Sequence, residues 1–279
     1  MRNIRIRLAY DGTNYCGWQM QSNGMSIQAI VEKAILDFTG TSSSVIAAGR
    51  TDAGVHAIGQ VAHFHTQSQI PLSKFRAGLQ SYLPRDIVVL AADEVSPHFH
   101  ARYQAIRKRY RYVIDNSLRP LPFLDKYAYR QRGELDVAAM HAAGQVLVGE
   151  HDFRCFESRW PNRPTSVRTI EELTVKRTTG WPIWSEMGSC PATTDDPTGS
   201  FITLDVVADG FLYNMVRSIT GTLLEVGRGK WSASDVKRIL TAQDRALAGA
   251  TVPSQGLYLV HVDYGPESLG NDERTDLGD

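Results

Sequence analysis

The chain has 279 residues, of which 42% are hydrophobic and 22% are charged, and these are the proportions of an ordinary globular protein. Because its 30 basic and 30 acidic residues cancel, a nucleic-acid partner would need a local basic patch rather than a general positive field. Three widely spaced cysteines argue against a disulfide framework or a structural zinc site. The sequence shows neither a secretion signal nor the roughly 18 apolar residues of a membrane span, which predicts a cytoplasmic protein.

The first half of the chain predicts the order strand, helix, two strands, helix and strand. Ile4, Ile6 and Leu8 alternate with charged residues, as in a strand with one buried face. Ser26 has the side chain of a helix cap and precedes apolar residues at helical spacing. The remaining elements are strands at 43–49 and 59–66, a helix at 71–83 and a buried strand at 86–95.

The second half of the chain repeats this order. Its predicted elements are a strand at 109–115, a helix at 135–149, strands at 167–178 and 200–209, helices at 211–227 and 232–240, and a strand at 256–264. The order β-α-β-β-α-β is that of a split, ferredoxin-like unit. The predicted fold class is therefore α+β, with two tandem ferredoxin-like halves and a central cleft between them. A single irregular α+β domain is the alternative.

The two halves are expected to cover residues 1–105 and 106–265, with the boundary near 97–107. A stretch rich in glycine, proline, serine and threonine at 178–200 separates two predicted strands and indicates an inserted loop or an extended hairpin. Residues 266–279 contain five acids, one arginine and few large apolar side chains, so we expect them to form a disordered tail.

Basic and aromatic residues are concentrated in residues 102–112, which contain five bases, three tyrosines and no acid. Cations neutralise phosphates and aromatic rings stack on unpaired bases, so the pattern favours contact with nucleic acid. The strand period separates two faces, with Lys108, Tyr110 and Tyr112 on one and Arg107, Arg109 and Arg111 on the other. The bases predicted to contact substrate are Arg107, Lys108, Arg109 and Arg111. The alternative is an edge strand kept soluble by its charge.

The octapeptide GRTDAGVH, residues 49–56, places a single carboxylate, Asp52, between two glycines. Thr51 and Asp52 can both cap backbone amides, so a well-capped loop after a strand is one interpretation. The other is chemical, because a catalytic carboxylate beside phosphates needs an arginine that lowers its pKa and fixes its direction. Arg50 is adjacent, and Arg217 lies on an otherwise apolar predicted helix, where an arginine needs an acidic partner.

Five motifs follow one another in an order and at a spacing that resemble those of the tRNA pseudouridine synthase A family. They are YDGTNYCGWQ at 10–19, GRTDAGVHA at 49–57, RKRYRYVI at 107–114, FLYNMVRSITG at 211–221 and GLYLVHVDY at 256–264. The octapeptide is highly specific, whereas the tyrosine and Met-Val-Arg motifs add weight through their order. The resemblance covers most of the chain and implies a pseudouridine-synthase fold.

The resemblance implies a role for one residue in most of these motifs. Asp52 matches the catalytic aspartate, and Arg217 matches the arginine that pairs with it. Arg50 matches an arginine that helps to move the target base out of the stack. Tyr110 matches the tyrosine that stacks on the target uracil and is a candidate base for the last proton transfer. Leu257 matches an apolar residue that lines the pocket.

The resemblance also implies the reaction and the partners: isomerisation of uridine to pseudouridine at positions 38 to 40 of the tRNA anticodon stem-loop, by a homodimer. No electrons are gained or lost in this reaction, and the departing uracil anion can be stabilised by hydrogen bonds, so neither a cofactor nor a metal is predicted. Asp52 would either attack C1′ of the ribose or remove a proton from C2′. The sequence leaves both roles open.

Other functions fit parts of the sequence. A nucleoside or glycoside hydrolase needs two carboxylates, and Asp11 is the possible second acid. A non-catalytic RNA-binding module would suit tandem ferredoxin-like units and a basic, aromatic strand, but it has no need of Asp52 paired with Arg217. His63 and His65 share one face of a strand, but two histidines with no third ligand in view favour packing over a metal site.

Overall fold

The chain forms a mixed α+β structure made of two compact units. The computed structural model describes residues 1–22, 24–158, 165–183 and 199–265, and these contain ten strands and five α-helices. Unit 1 consists of Met1–Arg107 and the chain from Leu259 onward, and unit 2 consists of Lys108–Tyr258. Within the described ranges no helix is both long and apolar enough to cross a membrane.

Unit 1 has the predicted β-α-β-β-α-β order. Its elements are β1 (Arg2–Tyr10), α1 (Ile27–Thr39), β2 (Ile46–Ala47), β3 (His56–Thr66), α2 (Phe75–Gln80) and β4 (Ile87–Val95). β1 pairs antiparallel with both β3 and β4, and the short β2 pairs with β3, so the strands lie in the order β4-β1-β3-β2. The final strand, β10 (Leu257–Tyr264), also lies beside β3.

Local sequence sets the ends and the spacing of these elements. The side chain of Ser26 accepts a hydrogen bond from the backbone of Ala29 and caps α1, which ends at Gly40 in a left-handed conformation with φ of 71°. Gly59 lies where β10 approaches β3, and a Cβ added there would stand 2.1 Å from the carbonyl oxygen of Val260. A glycine is therefore needed at this position for the two backbones to approach.

Unit 2 repeats the arrangement with additional elements. These are β5 (Ala105–Asp115), β6 (Tyr129–Arg130), α3 (Val137–Gly144), β7 (Gly149–Asp152), β8 (Val167–Thr178), β9 (Phe201–Ala208), α4 (Met215–Gly227) and α5 (Ala233–Ala242). The sheet order is β5-β9-β8-β7 with antiparallel neighbours, and β6 runs parallel to β5. The central strand of this group is β9, which lies between β5 and β8. In unit 1, β3 lies between β1 and β2 in the same way.

The predicted halves, 1–105 and 106–265, differ from these units at the last strand. The chain from Leu259 onward groups with unit 1, in which β10 is hydrogen-bonded to β3. Chain order alone placed this strand in the second half. Most of the predicted insertion, residues 184–198, and the whole of the predicted tail, 266–279, lie outside the described residues.

Three helices are shorter than the sequence pattern predicts. α2 covers only Phe75–Gln80 and α3 only Val137–Gly144, because a short 3₁₀ turn precedes the first and follows the second. α4 begins at Met215 rather than at residue 211, since Asn214 has a left-handed φ of 63° that a helix does not contain. Hydrophobic spacing shows where a helix lies but not where its hydrogen bonding begins and ends.

Prediction is also less accurate at the sheet edges. β4, predicted as a buried strand, is an edge strand with alternating exposure, and Val88 is 40% exposed. β6 and β7 are absent from the prediction, because Tyr-Arg and Gly-Glu-His-Asp show no apolar alternation. Edge strands have fewer buried side chains, so their sequences carry less of the pattern on which prediction depends.

A buried histidine in unit 1 gives the fold a pH dependence. His63 in β3 is 1% exposed, and its Nδ1 accepts a hydrogen bond of 3.1 Å from the backbone nitrogen of Ala101. Burial disfavours the imidazolium and lowers the pKa of His63 to about 4, and the neighbouring His100 and His65 add to this effect. The folded protein therefore keeps His63 neutral at pH values where the unfolded chain protonates it.

We expect the free energy of unfolding to fall as the pH drops from about 6.5, the pKa of an unperturbed histidine, to about 4, the folded pKa of His63. In this window the unfolded state binds a proton that the folded state excludes, which costs about 1.4 kcal/mol per pH unit. Urea titrations at several pH values measure the slope. His63→Asn keeps a hydrogen-bond acceptor but does not titrate, so its slope should be smaller by about one proton. Equal slopes for the two proteins would contradict the prediction.

Candidate active site

The octapeptide forms the connection between β2 and β3 in unit 1. Asp52 is half-buried at its turn, where its carbonyl oxygen accepts a hydrogen bond of 3.1 Å from the backbone nitrogen of Val55. Gly54, with φ of 76°, supplies the left-handed residue of the turn. Thr51 and Val55 on either side are buried, whereas Arg50 is exposed. Thr51 and Val55 therefore lie in the interior, and Asp52 itself lies half-buried between them.

A buried hydrogen-bond network supports the loop from below. The hydroxyl of Tyr10 in β1 lies 2.8 Å from Oγ1 of Thr51, and Gln60 Nε2 donates to the carbonyl of Gly49 at 2.8 Å and to the Tyr10 hydroxyl at 3.4 Å. Burial raises the pKa of Tyr10 to about 12, so this hydroxyl keeps its proton. The capped-loop interpretation predicts that Thr51 caps the turn. Its hydroxyl instead bonds to the side chain of Tyr10.

The segment that follows β1 holds the loop from a second side. The backbone nitrogen of Gly12 donates to Nδ1 of His56 at 3.1 Å, and that of Trp18 donates to the carbonyl of Thr51 at 3.0 Å. Gly17 has φ of 97°, and a Cβ there would stand 2.5 Å from the same Thr51 oxygen. The glycines of the motif YDGTNYCGWQ are therefore explained by close backbone contact with the octapeptide. His56 is buried and accepts a hydrogen bond from this segment, so its role in the loop is structural.

Arg217 occupies the first turn of α4 in unit 2, on the segment that the Met-Val-Arg motif predicts. Its Nε donates to the carbonyl of Val252 at 2.7 Å, and its Nη1 donates to Oδ1 of Asn214 at 2.7 Å. Asn214 in turn donates from Nδ2 to Ser158 Oγ at 2.7 Å. These bonds fix the plane of the guanidinium, so the direction of Arg217 is set within unit 2.

Asn214 is a site residue that sequence reasoning missed. It adopts the left-handed conformation just before α4, and its carbonyl accepts the first helical hydrogen bond, from Ser218. Asparagine tolerates this conformation better than most residues, and it also supplies an acceptor for Arg217. The signal was present in the motif FLYNMVR, where an asparagine directly precedes the apolar helix.

Residues 251–256 connect Arg217 to the predicted pocket residue Leu257. Arg217 binds the carbonyl of Val252, and the hydroxyl of Tyr112 donates to the carbonyl of Pro253 at 2.7 Å. Gly256 lets this segment pass the Tyr112 ring, which a Cβ would meet at 2.7 Å. Burial raises the pKa of Tyr112, and the charge of Arg217 opposes the shift. Leu257 is buried and directly follows this segment, which Arg217 and Tyr112 anchor at Val252 and Pro253.

Tyr110 lies on β5 with only 7% of its surface exposed. Its ring meets that of Phe211 edge to face, at 4.9 Å between centroids and 75° between planes. Phe211 belongs to the same FLYNMVR motif as Arg217, so two motifs that are distant in the sequence meet within unit 2. Tyr110 thus packs as a core aromatic of unit 2.

The basic strand offers fewer cations than its sequence suggests. Nε of Arg107 lies 2.6 Å from the carboxylate of Asp263, and Nη2 of Arg109 lies 3.3 Å from that of Glu172. Arg111, predicted to contact substrate, is 5% exposed and bonds to the buried carboxylate of Asp205. The acidic partners are far away in the sequence, so residues 102–112, which contain no acid, give no sign that their arginines are paired.

Arg111 therefore does not fit the role of an RNA contact. Its Nε lies 3.0 and 3.1 Å from the two oxygens of Asp205, and its Nη1 donates to the carbonyl of Pro182 at 2.7 Å. A buried ion pair that is also hydrogen-bonded holds β5 to β9 rather than presenting charge to solvent. The predicted contacts that remain at the surface or half-buried are Arg107, Lys108 and Arg109.

The described residues contain no group of three histidine, cysteine, aspartate or glutamate side chains placed to hold a metal ion. His63 and His65 do lie close together, with 5.8 Å between ring centroids, but Nδ1 of His63 is occupied by the backbone of Ala101. His63 also packs against Phe99, whose ring is 5.7 Å from its own.

Comparison with known proteins gives consistent matches along the chain. A family model described as tRNA pseudouridine synthase matches residues 7–104 and 143–265, which include Asp52, Arg217 and Leu257 but not Tyr110. The tRNA pseudouridine synthase A of Geobacter sp. (strain M21) is 45% identical over 267 residues, which cover 95% of this chain and 99% of that protein. Those of Acetivibrio thermocellus and Thermoanaerobacter sp. (strain X514) are 43% and 42% identical over 264 residues, covering 95% of this chain and 100% of theirs.

The mixed α+β fold, the anchored octapeptide and these matches together define an enzyme class, the isomerases that convert uridine to pseudouridine. The chain belongs to the tRNA pseudouridine synthase family. This confirms the family, the fold class and the reaction class that the five motifs predict. The pairing of Asp52 in unit 1 with Arg217 in unit 2 stays a prediction.

We expect Tyr10→Phe to lower kcat about tenfold with little change in KM for tRNA. The substitution leaves Thr51 Oγ1 and the Gln60 amide without their shared partner, which loosens the loop and costs about 1–3 kcal/mol of stability. Steady-state kinetics and urea unfolding measure the two effects. Tyr264→Phe is the matched control, because it also removes one hydroxyl bond in unit 1, to the carbonyl of Ala101. A kcat that is equally reduced in both variants would show that the effect is general loss of stability.

Proposed function

We propose that this chain isomerises uridine to pseudouridine at positions 38, 39 and 40 of the tRNA anticodon stem-loop. The observation that carries the proposal is the octapeptide loop, in which buried hydrogen bonds to Thr51 and Gly49 fix the backbone on which Asp52 stands. The relatives at 42–45% identity that are named tRNA pseudouridine synthase A support the same substrate class. The three target positions rest on the family resemblance.

The reaction breaks the bond between uracil N1 and C1′, rotates the base and forms a bond between C5 and C1′, after which C5 loses a proton. We infer that Asp52 acts at the ribose as an ionised carboxylate. It either attacks C1′ and forms a covalent intermediate, or removes a proton from C2′. A fixed loop suits both routes, because a misplacement of about 1 Å can cost roughly a hundredfold in rate.

We infer that Arg217 keeps Asp52 ionised and directed, as the resemblance implies. Its hydrogen bonds to Val252 and Asn214 set the guanidinium plane in advance, so that a carboxylate partner meets a preorganised cation. Leu257 would form the apolar wall that excludes water from this ion pair and strengthens it. The contribution of Arg217 thus depends on the anchored segment 251–256.

The target uridine must leave its stack before it can react, which costs a few kcal/mol. We infer that the exposed Arg50 assists this step, and that Tyr110 stacks on the extruded uracil. Arg107, Lys108 and Arg109 would bind phosphates nearby, although Arg107 and Arg109 must first exchange the carboxylates of Asp263 and Glu172. The resemblance further supports a homodimer and, with tRNA as substrate, a cytoplasmic location.

We expect Asp52→Asn to abolish isomerisation, with kcat reduced by about 10⁴ or more, while tRNA binding is retained. The test follows tritium released from C5-labelled uridine in tRNA, together with filter binding of the same RNA. Asp37→Asn is the matched control, because Asp37 is a carboxylate of unit 1 that pairs with Lys33 on α1 and has no role in either mechanism. Release of free uracil by the wild type would instead favour the hydrolase, and tRNA binding by a wild type without turnover would favour the RNA-binding module.

A double-mutant cycle tests the proposed ion pair. Arg217→Lys keeps the charge but cannot make both hydrogen bonds in the same plane, and we expect kcat to fall about a hundredfold. If Arg217 acts through Asp52, adding Arg217→Lys to Asp52→Asn should cause little further loss, as for residues that work as one unit. Independent, multiplicative losses would separate the two residues and remove the pair from the mechanism.

A further inference from the structure

An aromatic pair is exposed on unit 1, on the turn between β4 and β5. Tyr103 is 76% exposed, and its ring stacks on that of His100 at 4.1 Å between centroids and 24° between planes. We call Tyr103 and His100, together with the adjacent Arg102, the aromatic platform. What distinguishes this exposed tyrosine is that its ring is stacked on a second ring and lies next to an arginine.

The aromatic platform is held in place from inside. Nδ1 of His100 accepts hydrogen bonds from the backbone nitrogens of Arg102 and Tyr103, both at 3.2 Å, so its ring orientation is fixed. The ring of the buried His63 lies 5.0 Å from that of His100. Tyr103 is therefore the outermost of a series of three rings that begins in the core of unit 1.

The turn that carries the aromatic platform is anchored at several points. Asn3 Nδ2 in β1 donates to the carbonyls of Ser96 and Phe99, both at 2.9 Å. The hydroxyl of Tyr264 in β10 donates to the carbonyl of Ala101 at 2.7 Å. The exposure of Tyr103 is thus a property of a fixed backbone, so a ligand that stacks at this ring meets a site that needs little further ordering.

The charge around the aromatic platform indicates what kind of ring it receives. The guanidinium of Arg102 lies 5.9 Å from the centre of the Tyr103 ring, and the seventeen residues from Ser96 to Tyr112 contain no acid. An exposed ring beside an arginine matches a ligand with flat, unpaired rings and negative charge next to them. An unpaired nucleotide of an RNA has both features, since its base stacks on aromatic side chains and its phosphate binds arginine.

We propose that the aromatic platform binds one unpaired base of the tRNA, other than the uridine that is isomerised, and that Arg102 holds an adjacent phosphate. The proposal rests on the proposed function for its substrate, but it adds a contact that none of the five sequence motifs contains. The site would fix the position of the tRNA on unit 1 through a base that every tRNA sequence can provide, because stacking tolerates all four bases.

Tyr103→Ala should raise the Kd for tRNA about tenfold or more, whereas Tyr103→Phe and Tyr103→Trp keep the ring and should stay within about twofold of the wild type. Filter binding at fixed ionic strength measures the affinity, and kcat at saturating tRNA should be unchanged. Tyr82→Ala is the matched control, because Tyr82 is another tyrosine of unit 1 and is 50% exposed. Since Tyr103 is so exposed, none of these variants should unfold.

A second measurement isolates Arg102. Arg102→Gln should reduce the slope of log Kd against log salt concentration by about 0.7 to 0.9, the value of one phosphate contact. If the wild type is active and Tyr103→Ala leaves the Kd for tRNA unchanged, the proposal is overturned and the proposed function stands. A wild type with no activity on tRNA would overturn the function itself. A change in sedimentation of Tyr103→Ala, with tRNA affinity kept, would assign the ring to a protein interface and also overturn the proposal.

Discussion

The hydrogen bond between the hydroxyl of Tyr10 and Oγ1 of Thr51 is the interaction on which the candidate site depends. It joins the first strand of the sheet to the residue directly before Asp52, and Gln60 extends it to Gly49 at the start of the octapeptide. All three side chains are buried, so the bonds are formed where an unmade bond would be costly. The carboxylate can stand at the edge of the core because its backbone is fixed on both sides.

Much of this site follows from residue types in the sequence. A carboxylate between glycines and beside an arginine suggests a shaped loop; Gly54 does adopt a left-handed φ, and both glycines of the motif YDGTNYCGWQ are positions of close backbone contact with this loop. Tyr10 and Gln60 carry no such signal, because an isolated tyrosine or glutamine in a strand says nothing about its partner. Asn214 lies between these cases, since its residue type suits a left-handed position but the bond to Arg217 depends on folding.

The basic strand shows why composition alone misleads about charge. Its arginines are close together in the sequence, but their carboxylate partners, Asp263, Glu172 and Asp205, come from three separate strands. Strand alternation predicts which side chains share a face but not how deeply the strand is buried, and β5 passes from exposed at its start to buried at its end. The fold class was predictable because periodicity is local; ion pairing was not, because it is set by strand order.

The return of the chain to unit 1 has a consequence for synthesis on the ribosome. Residues 1–107 emerge first and contain every strand of unit 1 except β10, whose residues from Leu259 complete the edge of β3. Until they arrive, β3 presents unpaired backbone groups and the gap at Gly59 that Val260 later fills. The nascent N-terminal segment therefore has an open sheet edge, and β3, which carries His56 and Gln60, gains its β10 partner only after unit 2 has been synthesised.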